Sequence, residues 1–256
     1  MSIDIFTKNY RSQVKQLEPH LYLTHRTHRY LQNFCHTETF GPNWMFVFVD
    51  LQDQNVELIC AEQKISLCGR VGIFIPEFSI LNWRIPEGIF FWQCLSSSLT
   101  AGFPKKLLVF PWAENVLPES SHQIKAFLGS SSHLYCVDPQ IVKSDIAMQA
   151  KLYIDGHYRS DLRLQNMADV LGYHRIHLSR EFKKTFGLPM VEYRHQLRIY
   201  EALKQMNSGA TLTESIFLSG YSSVNQFNCY FKKYFLIVPS YFNFNKPKVK
   251  DGGVSL

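Results

Sequence analysis

Two short runs near the C-terminal end carry side chains suited to nucleic-acid chemistry. In the first, Arg175, Ile176, Ser179 and Arg180 precede Lys183 and Lys184. An arginine can hold a guanine edge through two hydrogen bonds, and a serine hydroxyl can bond several bases. An aliphatic side chain can meet a thymine methyl. In the second run, Ser223, Val224, Asn225, Gln226 and Asn228 precede Lys232 and Lys233. Asparagine and glutamine amides suit adenine. The four lysines suit phosphate oxygens, which position a protein on a duplex without selecting sequence. Taken alone, either run also reads as a solvated basic helix face.

The elements that must present these groups form a repeat. Leu164–Gly187 reads LQNMADVLGYHRIHLSREFKKTFG, and Leu212–Leu236 reads LTESIFLSGYSSVNQFNCYFKKYFL. Gly172-Tyr173 answers Gly220-Tyr221, and Phe182-Lys183-Lys184 answers Phe231-Lys232-Lys233. A short apolar helix, a glycine turn and a basic second helix make a helix-turn-helix. Leu178 with Phe182, and Phe227 with Phe231, are four apart and predict the inward faces. Cys229 then falls among the outward residues. Between the copies, Tyr193, Leu197, Tyr200, Leu203 and Met206 predict a long amphipathic helix over 190–207, entered after Pro189 and ended by Asn207-Ser208-Gly209. Ser160 or Asp161 is expected to cap the first unit, and Thr211 or Thr213 the second. Two copies in one chain can place two reading helices on DNA without a dimer.

The segment from Asp145 to Asn243 resembles the tandem helix-turn-helix domain of the AraC/XylS transcription regulators. The two Gly-aromatic turns, the two Phe-Lys-Lys segments, the joining helix and the closing Val238-Pro239-Ser240-x-Phe242 carry the likeness. The resemblance implies a sequence-specific regulator of double-stranded DNA, an activator, with RNA polymerase as a partner. Family members commonly carry arginine where Cys229 stands and glycine where Leu236 stands. A small residue is usual at Ile216, and an apolar one at Ser215. These departures point to fewer base contacts, or mainly backbone contacts, in the second unit.

Charge agrees with that placement. Residues 145–250 hold fifteen Lys or Arg against eight Asp or Glu, while residues 1–144 hold twelve of each. Phosphate neutralisation needs such an excess and makes affinity salt-dependent.

The rest of the chain predicts an α+β protein, with a β-rich barrel before the all-α tandem domain. Short apolar runs at Trp44–Val49, Val56–Cys60, Ile65–Leu67, Val71–Ile75, Phe78–Ile85 and Ile89–Cys94 are spaced like barrel or sandwich strands. Residues 1–43 carry no clear pattern. Gly69–Pro76, GRVGIFIP, resembles an element of cupin-like sensor domains. The domains are read as 1–138 for sensing or oligomerisation, 139–246 for DNA binding and 247–256 as a tail. His20, His25, His28 and His36 precede the recognisable strands, so the barrel is expected to hold no metal. Cys35, Cys60, Cys68, Cys94, Cys136 and Cys229 form no CxxC pair, and most are expected to be buried and reduced. No catalytic residues and no cofactor are expected, and no apolar run reaches membrane-spanning length. A cytoplasmic protein follows. Its N-terminal domain is expected to bind a small-molecule effector or a protein partner, or to form a homodimer.

Overall fold

In the computed structural model, residues 2–7, 10–113, 116–161, 163–235 and 239 are described. The first half is two antiparallel sheets. The larger joins β1 (Ser2–Thr7), β2 (Tyr10–Glu18), β3 (Leu21–Tyr30), β10 (Gly88–Ser97), β5 (Trp44–Asp50), β8 (Arg70–Ile75), β11 (Leu107–Pro111) and β12 (Tyr135–Val137) in that order. The smaller runs β4 (Phe34–Thr39), β9 (Ile80–Ile85), β6 (Val56–Cys60) and β7 (Gln63–Leu67). The two share no ladder, so they enclose a core as facing walls rather than as one hydrogen-bonded cylinder. Val47, Val49, Ile73 and Trp92 from one wall meet Leu58, Leu81, Trp83 and Ile85 from the other. The large sheet's outer face carries Phe46, Phe48, Phe74 and Phe110, covered by helix α1 (Ser121–Ser130) through Ile124 and Phe127.

The expected β-rich half is therefore present, and the structure corrects three details. Residues 1–43, which carry no clear sequence pattern, contain four of the twelve strands found among the described residues. His25 and His28 lie in β3 and His36 in β4, so the strands do contain histidine. Only Cys60 and Cys94 are buried; Cys35, Cys68, Cys136 and Cys229 are exposed. Cys35 and Cys136 lie in β4 and β12 beside residues that are exposed as well, Cys68 lies between β7 and β8, and Cys229 lies on a helix between the buried Phe227 and Phe231. Burial pushes Cys60 up to about 12 and Cys94 up to about 11, so both thiols stay protonated.

The second half is helical: α2 (Asp145–His157), α3 (Leu164–Leu171), α4 (Arg175–Phe186), α5 (Met190–Asn207), α6 (Leu212–Leu218) and α7 (Val224–Phe235). Each helix-turn-helix unit has its own core. Met167, Ala168, Leu178, Phe182 and Phe186 pack with α2 in the first. Ile216, Tyr221, Phe227 and Phe231 form the second. Helix α5 enters both, giving Tyr193 and Leu197 to one and Ile199 and Ala202 to the other. Buried polar bonds tie the units further. Arg198 of α5 donates to the carbonyl oxygens of Tyr158 and Ser160 at 2.6 and 2.7 Å, and the Tyr158 hydroxyl donates to Glu201 at 2.8 Å. The segment Val238-Pro239-Ser240-x-Phe242 lies outside the described residues except for Pro239, as do Leu236 and the tail 247–256.

Candidate nucleic-acid interface

Each reading helix is set by its turn. Gly172 ends α3 in the left-handed region, at φ 72°, and its N–H bonds back to Ala168 and Asp169. The His174 side chain then accepts from the N–H of Ile176 at the start of α4. No side chain caps α3: Arg163 takes that position, not Ser160 or Asp161. Ser160 is used otherwise, its hydroxyl bonded to the carbonyl of His157. In the second unit Thr211 and Glu214 form a reciprocal capping box at α6. Gly220 (φ 93°) makes the turn, and the Ser223 hydroxyl accepts from the N–H of Gln226 at 3.5 Å.

With Leu178 and Phe182 buried, α4 turns Ile176, Arg180, Lys183 and Lys184 to solvent. Ser179 is half-buried at the edge of that face. Arg175 is exposed in the first turn, but its spacing of three and seven residues from Leu178 and Phe182 puts it on the core side. His177, absent from the expected set, lies beside Arg180, with Nδ1 3.5 Å from the guanidinium. Its place one helical turn before Arg180 and two before Lys184 is the signal that finds it. On α7, Phe227 and Phe231 are buried and Asn225, Gln226, Asn228, Cys229 and Lys232 are exposed. Val224 is exposed at the helix start on the core side, and Ser223 precedes the helix as its capping group. Lys233 turns back: its Nζ lies 2.5 Å from Glu192 of α5, and the Tyr234 hydroxyl donates to the same carboxylate. The basic pairs also fall in the last turns of α4 and α7, where they favour the helix dipole.

A Helix-turn-helix domain model matches residues 167–243. The activator AarP of Providencia stuartii is 31% identical over 110 residues, spanning 43% of this chain and 82% of AarP. The chain belongs to the AraC/XylS family of transcription regulators. Its AraC/XylS-type segment is also 25% identical over 118 residues to an uncharacterised HTH-type transcriptional regulator of Staphylococcus aureus, of which the match spans 16%. Among solved structures, ToxT of Vibrio cholerae O395 is 12% identical, with 94% of this chain and 100% of ToxT covered at a TM-score of 0.49. The C-terminal domain of AraT from Geobacillus stearothermophilus is 24% identical, with 44% and 94% covered at a TM-score of 0.38.

The AraC/XylS-type helices close one side of a cavity of about 890 Å³. Strands β3, β4, β9 and β10 supply Tyr30, Phe34, Trp83 and Trp92, while α5 and α7 supply Ile199, Tyr200, Leu203 and Tyr234. His28 and Tyr30 stack at 4.0 Å, and Phe34 and His36 at 5.6 Å. Arg26, Arg29, Lys204 and Lys233 line it, against one carboxylate, Glu38, which accepts from the Trp83 indole at 3.0 Å. Among the described residues, no three of His, Cys, Asp and Glu gather as a metal site would require. No described helix is long and apolar enough to cross a membrane.

Proposed function

We propose that this chain is a sequence-specific activator of transcription that acts in the cytoplasm with RNA polymerase. It has no catalytic role, and its N-terminal domain senses a small molecule. The observation that carries the reading is the pair of exposed faces on α4 and α7, one with Arg180 and Lys184, the other with Asn225 and Lys232, held by the single helix α5. Ile176, Ser179, Arg180, Asn225, Gln226 and Asn228 contact bases; Lys183, Lys184, Lys232 and Lys233 contact phosphates. Arg175, Ser223 and Val224 sit at the helix starts, where the recognition end of a helix-turn-helix meets base edges. AarP, similar over the DNA-binding half, is itself an activator. A cavity walled by aromatic rings and set with basic side chains offers a small ligand apolar and polar contacts together, and it suits such a ligand better than a protein surface.

The test is selection of bound fragments from random DNA, followed by footprinting. Two protected major-groove segments about 34 Å apart on one face are expected for each chain. A single protected segment per chain would rule out tandem reading.

A further inference from the structure

Strand β4 has two different neighbours on its two faces. Phe34, His36 and Glu38 line the cavity. Between them, Thr37 turns away and donates to Asn82 of β9 at 2.6 Å. That pair sits under Gly187, the residue that ends reading helix α4: a Cβ there would lie 2.8 Å from Asn82 Oδ1 and 3.1 Å from Thr37 Oγ1. At the end of β4, the Thr39 hydroxyl bonds Gln196 of α5, and both residues also border the cavity. The paired strand β9 alternates likewise. Trp83 and Ile85 face the cavity, and Ile80 belongs to the core of the first helix-turn-helix unit. The turn leading into β9 carries Phe78, which adopts φ 57° and packs into that same core, its ring 6.3 Å from Tyr158. A bulky residue held in the left-handed region is uncommon and persists only where its surroundings enforce it. Here the enforcement is two backbone bonds of 2.9 Å, Phe78 N–H to Gly41 and Phe40 N–H to Ser79.

We propose that the β4–β9 ribbon is a lever carrying the state of the cavity to the first reading unit, with Phe78 as its pivot. The inference rests on the reading of the cavity as a sensor. A ligand that spreads His36, Glu38 and Trp83 shifts residues one position away in register, and these form the seat of α4 and α5. The first unit contributes none of α3 or α4 to the cavity lining, whereas α5 and α7 line it directly. The ribbon gives the cavity a route to the end of α4 that is separate from the one through α5, a helix shared by both cores.

The test uses the full chain, a DNA fragment it selects, and 1-anilinonaphthalene-8-sulfonate, read by energy transfer from the lining tryptophans. In the wild type, saturating probe is expected to change DNA affinity about fivefold, and DNA to change probe affinity by the same factor, because coupling is reciprocal. Asn82→Ala should keep both affinities near wild type in isolation and abolish the mutual shift; Phe78→Ala should do the same. Circular dichroism melts check that both variants fold, and Asn82→Ala, a change at a half-buried polar site, carries the test if Phe78→Ala does not. A wild type that binds probe and DNA independently overturns the lever, and so does coupling that survives Asn82→Ala. Absence of probe binding removes the sensor reading and the lever together.

Discussion

At Gly220 an added Cβ would lie 2.2 Å from the carbonyl oxygen of Arg159, and φ is already +93°. At Gly172 φ is +72°, but nothing stands within 4 Å. The two glycines therefore answer to different constraints. Gly172→Ala should cost about 1 kcal/mol, the strain of a left-handed residue. Gly220→Ala should cost roughly 3 kcal/mol or more, because backbone must also move. Urea melts decide this, and equal losses would mean that the turn does not press on Arg159. Arg180 and Lys184 separate in the same way on the DNA side. Arg180→Ala should weaken binding to selected DNA by about 1–3 kcal/mol and relax one position. Lys184→Ala should weaken selected and random DNA alike. Titrations against both DNAs measure the difference, and matching profiles for the two variants would remove the division between base and phosphate contacts.

Helices α5 and α7 meet around His195. Its ring stacks on Tyr230 at 3.5 Å, and Nδ1 lies 3.1 Å from the Tyr221 hydroxyl. Burial, then the charges of Arg194 and Arg198, push its pKa from 6.5 down to about 4. The unfolded chain takes up this proton first as pH falls, so the contribution to stability is whole above 6.5 and shrinks down to about 4. The melting temperature should fall across that window, and His195→Asn should flatten the fall. An unchanged slope would mean that the ring charges in place. Elements differed in how far they could be read beforehand. The helix-turn-helix units were legible because Gly172 and Gly220 fix the turns and paired aromatics fix the phase. Strands β2 and β3 were not, because β3 has water near one face and the cavity at the other. His25 and Thr27 alternate with Arg26, His28 and Tyr30, and Arg29 lines the cavity too, leaving no apolar period to detect. Ser160 does not cap α3 because the helix begins only at Leu164, and its hydroxyl instead donates to the His157 carbonyl. Arg175 and Val224 are exposed in the first turns of their helices, at a phase beside the cores.

Over the whole molecule, the excess of positive charge lies in the helical half. If Lys183, Lys184, Lys232 and Lys233 each neutralise one phosphate, the logarithm of affinity should fall against the logarithm of salt with a slope of about −3.6. If Lys233 keeps its bond to Glu192 on DNA, the slope should be about −2.7. A slope near zero would dismiss the lysine assignments altogether. The joining helix α5 has a consequence beyond rigidity. It fixes two unlike readers in one order along a single chain, and the second turn is one residue longer than the first, with eleven residues from Gly220 to Phe231 against ten from Gly172 to Phe182. Such a reader has a head and a tail. A symmetric dimer fits its site equally well after a half-turn; a chain that reads DNA with both units does not, and the operator expected for it is an arrow that tells upstream from downstream before any other factor arrives.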